Sequence, residues 1–115
     1  MIKRNLLKKF GFFSEEKATA FLEKEGFIIL ERNYYAKKLG EIDIIASKNG
    51  IIHFIEVKSS RVDFDPVYNI TPGKLKKIVN SAQYYMKSKK LDCAYSIDAL
   101  LLRKNEVELL ENITM

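Results

Sequence analysis

Apolar positions recur along this chain in two periods, and the changes of period mark out its elements. Over residues 14–25, Ala18, Phe21, Leu22 and Glu25 share one mostly apolar face at helical spacing. Ser14 is a suitable N-cap, Glu15 and Glu16 suit the positive end of a helix, and Gly26 is placed to end it. Phe27 to Tyr35 is rich in β-branched and aromatic residues and reads as a strand. Residues 41–48 and 51–58 read as two more, with Asn49-Gly50, the strongest short-range hairpin signal, between them. Residues 59–70 carry no period and are expected to be irregular. Thr71-Pro72 then opens a second helix, Thr as N-cap and Pro at the first helical position, running to about Lys90. Its buried stripe is Leu75, Ile78, Val79, Ala82, Tyr85 and Met86, while Lys74, Lys77, Ser81, Tyr84 and Ser88 fall on another face. Ala94 to Leu102 and Val107 to Ile113 read as final strands around a charged turn at Arg103-Lys104-Asn105. The predicted order is αβββαββ, an α/β fold in which a mixed central sheet is flanked by helices.

Composition narrows the picture. A chain of 115 residues fits a single domain, with residues 1–12 as a basic N-terminal arm carrying Lys3, Arg4, Lys8 and Lys9. A hydrophobic share of 47% supports a real core. The formal net charge of +5 favours an anionic partner, nucleic acid before an acidic membrane surface. No stretch approaches the ~20 apolar residues of a membrane span. The basic first ten residues hold no apolar run long enough for a secretory signal. A reducing, cytoplasmic setting is therefore expected. It fits the single cysteine, Cys93, read as a small buried residue. His53 is the only histidine, which excludes a His-rich zinc site, and it is expected on the core face of the hairpin. Asp98, in an otherwise apolar strand, needs a partner if buried, and a structural role is preferred for it. Tyr34 and Tyr35 are expected to pack at the end of the first strand.

The hairpin carries the chemistry. A two-residue turn at Asn49-Gly50 pairs Lys48 with Ile51 and sets the register outward. Counting back, Asp43 falls opposite Glu56 and Glu41 opposite Lys58. Opposed residues share a face, their Cβ atoms ~4.5–5.5 Å apart. One face is expected to hold Glu41, Asp43, Glu56 and Lys58 beside Ile45 and Phe54. The other is expected to hold Ile42, Ile44, Ile55 and Val57 as core. Two carboxylates so close either share a proton or share a cation. A divalent ion such as Mg2+ takes one or two carboxylates and keeps waters for the rest of its shell. Such a site can activate water and neutralise a phosphate's developing charge, with Lys58 beside it to steer the attack. The same spacing also admits a plain solvated face with a Glu41–Lys58 pair, and a three-residue turn would put Asp43 and Glu56 out of phase.

At these residues the chain resembles a known family. Gly40-Glu41-Ile42-Asp43 followed by Phe54-Ile55-Glu56-Val57-Lys58 is similar to the YraN-type uncharacterised protein family, which is grouped with the restriction-endonuclease-like, PD-(D/E)XK superfamily. Gly26-Phe27-Ile28-Ile29-Leu30-Glu31-Arg32-Asn33, Ile70-Thr71-Pro72-Gly73-Lys74 and Ile97-Asp98-Ala99 extend the likeness over most of the chain. The resemblance implies a restriction-endonuclease-like αβββαβ core, with Asp43, Glu56 and Lys58 in the acidic and lysine positions of the superfamily. It also implies that Glu15 matches a helix-borne acid able to complete a metal site, although Glu15 also reads as a simple N-terminal helix charge. Two departures stand out. Ser14 replaces a usual Gly, and Ser60 replaces a usual Arg, with Arg61 displaced by one.

The expected activity is metal-dependent hydrolysis of phosphodiester bonds in nucleic acid, DNA first and branched DNA included. Asp43 and Glu56 would hold Mg2+ or Mn2+, with the Ile55 or Val57 carbonyl nearby. Lys58 would assist the attack of water, Glu15 would add a ligand, and Glu41 would support the set. Lys74, Lys77 and Arg61 are the nucleic-acid-binding candidates, with Lys87 and Tyr84 nearby. Lys74 leads them because it sits at a helix start, where backbone N–H groups favour a phosphate. A homodimer would suit cleavage of two strands. The competing expectation is a non-catalytic nucleic-acid-binding or adaptor protein of a DNA-processing complex, since a fold does not imply a function.

Overall fold

The computed structural model of the chain describes residues 14–59, 65–104 and 106–114. The basic arm at 1–12, and Ser60 and Arg61, lie outside the described residues. Helix α1 covers residues 14–24. Gly26 ends it at φ +94. There the Gly26 N–H reaches the Glu23 carbonyl and the Phe27 N–H reaches the Leu22 carbonyl, which satisfies two carbonyls that a bare helix end would orphan. Ser14, expected to cap this helix, is already helical, and its hydroxyl is bonded to that of Ser59 at 3.2 Å.

Three strands follow: β1 (Ile28–Tyr35), β2 (Glu41–Lys48) and β3 (Ile51–Ser59). Asn49 and Gly50 both have positive φ, 52° and 77°, as a two-residue type I′ hairpin turn requires. The predicted register holds from Lys48–Ile51 through Ile45–Phe54 to Ile44–Ile55. A short 3-10 helix (Pro66–Asn69) leads to α2 (Pro72–Ser88), where Thr71 Oγ1 accepts the Lys74 N–H as the expected cap. β4 (Tyr95–Leu102) and β5 (Val107–Leu110) complete the chain. The strands form one sheet in the order β1-β2-β3-β4-β5, antiparallel except for the β3–β4 pair. The order αβββαββ and the mixed sheet between two helices are those of a restriction-endonuclease-like core.

Both faces of the sheet are buried. Ile45, Ile52, Phe54 and Ile97 pack beneath Ile78, Ala82, Tyr85 and Met86 of α2. Ile44, Ala46, Ile55 and Leu100 pack with Ala18 and Leu22 of α1. Parallel pairing of β3 and β4 places them inside the sheet, which explains the near-continuous apolar run of β4. One polar group interrupts that run. Asp98 is fully buried, its Oδ2 lies 2.6 Å from His53 Nδ1, and its Oδ1 accepts from the Ser96 hydroxyl and the Asn112 N–H. The partner expected for Asp98 is thus present, and His53 is buried as expected.

Several local expectations are corrected. β5 stops at Leu110 rather than Ile113, because Asp98 captures the Asn112 N–H while Asn112 turns into a left-handed conformation at φ 57. Ile42 packs with the α2-side cluster, not with Ile44, so strict alternation fails across Asp43. Ser81, placed outside the expected buried stripe of α2, is fully buried, because the β1–β2 turn descends on it at Gly40. Cys93 is exposed, since it falls in the connection between α2 and β4. Tyr34 packs edge-on against Tyr85, but Tyr35 on the edge strand is 69% exposed. Among the described residues no helix is long and apolar enough to cross a membrane.

Two variants test this account. Asp98→Ala leaves the buried donors around it without their acceptor and should destabilise the protein by about 3–5 kcal/mol in chemical denaturation. At Gly40 (φ +151) an added Cβ would lie 3.0 Å from Ser81 Oγ. Gly40→Ala should therefore cost about 1–3 kcal/mol, of which Ser81→Ala recovers the contact part and not the backbone part.

Candidate active site

The hairpin register brings the expected residues together, and the end of its ladder arranges them. Beyond Ile44–Ile55 the two strands are joined through a side chain: Asp43 Oδ2 accepts the Val57 N–H at 2.8 Å. This bond orients the Asp43 carboxylate toward β3, next to Glu56 and Lys58. Lys58 Nζ lies 3.0 Å from Glu56 Oε1, both on β3. The alternative Glu41–Lys58 pair does not form among the described residues, where the partner of Lys58 is Glu56.

Two hollows meet on this group, and Glu41, Asp43, Glu56 and Lys58 line both. The hollow toward α1 adds Glu15, Ser14, Val57 and Ser59. The hollow toward α2 adds Gly40, Lys74, Lys77 and Ile78. The site therefore has an acidic side against the first helix and a basic side against the second. Glu15 is brought to it, as are Lys74 and Lys77. Lys87 is not, because it lies thirteen residues, or about 20 Å, along α2 from Lys74. Tyr84 lies on the same helix with Lys37 Nζ 5.7 Å from its ring centre. Arg61 is outside the described residues.

The electrostatics are unbalanced. Burial first, and the Glu56 carboxylate second, push the Asp43 carboxyl up from 3.8 to about 7, with Glu15 adding to the rise. The Val57 N–H and the Lys58 ammonium oppose the shift without cancelling it. A carboxyl held near neutrality by desolvation and like charge is the pattern of a functional group. Asp98 is the internal contrast. With His53 and Glu111 it forms the one set of three among the described residues whose ligand atoms lie within 4.8 Å of one another, but both of its oxygens are already engaged inside the fold.

By donor type, though not by the closeness of three ligand atoms, the acids around Asp43 suit a hard divalent cation. Asp43, Glu56 and Glu15 offer carboxylate oxygens, and Glu41 stands beside them. Mg2+ and Mn2+ favour oxygen donors, and a cation there would relieve the crowding that raises Asp43. Of the two carbonyls considered in the sequence, Ile55 is part of the core and Val57 lines the hollow.

Sequence reasoning overlooked three supporting residues. Gly40 lets the β1–β2 turn approach α2 closely, within 3.4 Å of Lys77 Cβ for an added Cβ. Arg32 and Asn33 reach Glu15 and Glu16 from β1. The available signal was Asn33 itself, a residue depleted in strands and tolerant of positive φ.

Comparison with known proteins gives the family. The chain matches the family described as Uncharacterised protein family UPF0102 over residues 14–107. It is 64% identical over 112 residues to a UPF0102 protein of Sulfurovum sp. (strain NBC37-1), covering 97% of this chain and 99% of that one. A UPF0102 protein of Wolinella succinogenes is 53% identical over 105 residues, with 91% and 95% covered. One from Helicobacter pylori (strain HPAG1) is 50% identical over 104 residues, with 90% of each chain covered. A family match over more than half the chain, with relatives this similar along nearly their whole lengths, places the protein in UPF0102, the YraN family, whose general placement is the PD-(D/E)XK superfamily.

Proposed function

We propose that this chain is a metal-dependent nuclease that hydrolyses phosphodiester bonds in nucleic acid, DNA first and branched DNA included. The observation that carries the reading is Asp43, a carboxyl raised to about 7 beside Glu56 and Lys58, between an acidic hollow and a basic one. Asp43, Glu56 and Glu15 would hold Mg2+ or Mn2+, with Glu41 in support. Bound there, the ion supplies Lewis acidity toward a phosphate oxygen and lowers the pKa of a water.

The chain's own residues do the rest. Lys74 and Lys77 attract the phosphodiester backbone into the hollow on the α2 side. Lys58, steadied by Glu56, places a positive charge where the phosphorane's negative charge develops. The Asp43 carboxylate, aimed by the Val57 N–H, is oriented before substrate arrives, which avoids reorganisation during the reaction.

A panel of labelled linear, single-stranded, flapped and four-way DNAs, with one RNA, tests the proposal in EDTA, Mg2+ and Mn2+. Metal-dependent cutting should fall by at least about a hundredfold in folded Asp43→Ala and Lys58→Ala proteins. Lys58→Ala should retain substrate binding. Binding without cutting, indifferent to metal and to both variants, would reject the enzyme and favour a non-catalytic adaptor.

The proton on Asp43 yields a second test. Its folded-state pKa of about 7 lies above the unfolded value, so the stability it contributes is complete below about pH 4 and lost as the pH rises through about 7. In EDTA near pH 8, Asp43→Asn should be more stable than the parent by about 1–3 kcal/mol, a gap that closes toward about pH 4. Added Mn2+ should raise the parent's melting temperature and leave the variant's unchanged. Superimposable pH profiles for the two proteins would contradict the charge crowding.

A further inference from the structure

Glu15 reaches the site from a different element than the other acids, and something must hold it there. Its neighbours are two consecutive residues of β1. Asn33 Nδ2 donates to Glu15 Oε2 at 3.1 Å, and Arg32 NH2 lies 3.7 Å from the same oxygen. Arg32 also donates through NH1 to Glu16 Oε1 at 2.6 Å, which ties the first turn of α1 to the edge strand. Arg32 Nε is buried with no hydrogen-bond partner among the described residues. An orphan donor of that kind costs about 1–3 kcal/mol. The fold tolerates it to keep a guanidinium against two helix-borne acids.

The backbone explains how Asn33 comes to face Glu15. β1 pairs Arg32 with Ile44 and Tyr34 with Ile42, so Asn33 lies across from Asp43. Asn33 adopts the left-handed conformation at φ 52, which is rare within a strand. Asn accepts that conformation more readily than most residues and also carries an amide donor. The break in β1 is thus level with Asp43, where the side-chain alternation of β2 also fails.

We propose that Asn33 is a positioning residue for the cation site, holding Glu15 in the hollow it shares with Asp43 and Glu56 so that its second carboxylate oxygen would be available to a cation bound there. This rests on the metal reading of the site. Asn33 and Arg32 both engage Oε2, which leaves Oε1 for a cation. The choice of donor matters. A neutral amide orients the carboxylate without cancelling its charge, whereas a lysine at position 33 would compete with the ion. Arg32 lies farther from Glu15, at 3.7 Å, and gives its hydrogen bond to Glu16, which anchors the helix. Partners behind metal ligands commonly set affinity in this way.

The test is a Mn2+ titration of the full chain, read by calorimetry and by loss of the free-ion EPR signal, with no substrate present. Five proteins are compared: the parent, Asn33→Gly, Glu15→Gln, their double variant, and Asp43→Asn. Glycine takes φ 52 without strain, so Asn33→Gly removes the amide and keeps the backbone; its melting temperature in EDTA serves as the folding control. Asn33→Gly should weaken Mn2+ binding by about tenfold, the lower end for an outer partner, because this hydrogen bond is exposed. In the Glu15→Gln background the same change should have no further effect. Equal weakening in both backgrounds, or Asn33→Gly binding like the parent, would overturn the proposal. If Mn2+ binding is lost in Asp43→Asn but unmoved by Glu15→Gln and Asn33→Gly, this inference fails and the metal reading stands. A parent that binds no Mn2+ removes both.

Discussion

The site depends on one hydrogen bond, from the Val57 N–H to the Asp43 carboxylate. It forms where the main-chain ladder of β2 and β3 gives out, and it replaces a backbone acceptor with a side-chain carboxyl oxygen. A carboxylate used in this way cannot turn away from the sheet, so it stays beside Glu56 and partly out of water. Its neighbours then decide its chemistry. One N–H and one ammonium do not offset burial and a second carboxylate, and the group keeps a proton to about neutral pH. The bond that joins the strands thereby also creates the electrostatic need that a divalent cation would meet.

The remainder of the fold keeps this constraint in place. The sheet is covered on both faces, so β3 lies in an apolar interior until Glu56, where it opens onto the site. The two helices then give the opening its polarity. The start of α1 brings Glu15, and the first turns of α2 bring Lys74 and Lys77, pressed close by the Gly40 turn. Acid on one side and base on the other are the charges that the proposed cation and polyanion would need.

Asp98 shows what an ordinary buried acid looks like in the same protein. It too sits within the sheet, but His53, Ser96 and Asn112 surround it, and it fastens the chain's last segment to β4. The contrast between a carboxylate whose surroundings are matched and one whose surroundings are not separates a structural group from a candidate functional one.

Much of this was legible along the chain because it rests on short-range rules. Alternation, helical spacing, Thr71-Pro72 and Gly26 marked the elements, and Asn49-Gly50 determined the register as far as Ile44–Ile55, beyond which the Asp43 side chain takes the Val57 N–H in place of a ladder pair with Glu56. Those signals act within a few residues, where backbone sterics leave few choices. What they could not convey was contact between distant segments. Ser81 falls outside the buried stripe of α2 by spacing, yet Gly40, some forty residues earlier, settles on it and buries it. Cys93 and Tyr35 read as buried until the α2–β4 connection and the edge strand leave them at the surface. β5 reads as longer until Asp98 takes the Asn112 N–H. The pairing of Asn33 with Glu15 is of the same kind: each residue's type was visible, but only the docking of α1 on β1 made them partners. Local periodicity determined the elements and the acidic hairpin. Tertiary packing decided which charges would be answered and which left crowded, because burial and counter-charge depend on neighbours that the linear order does not contain.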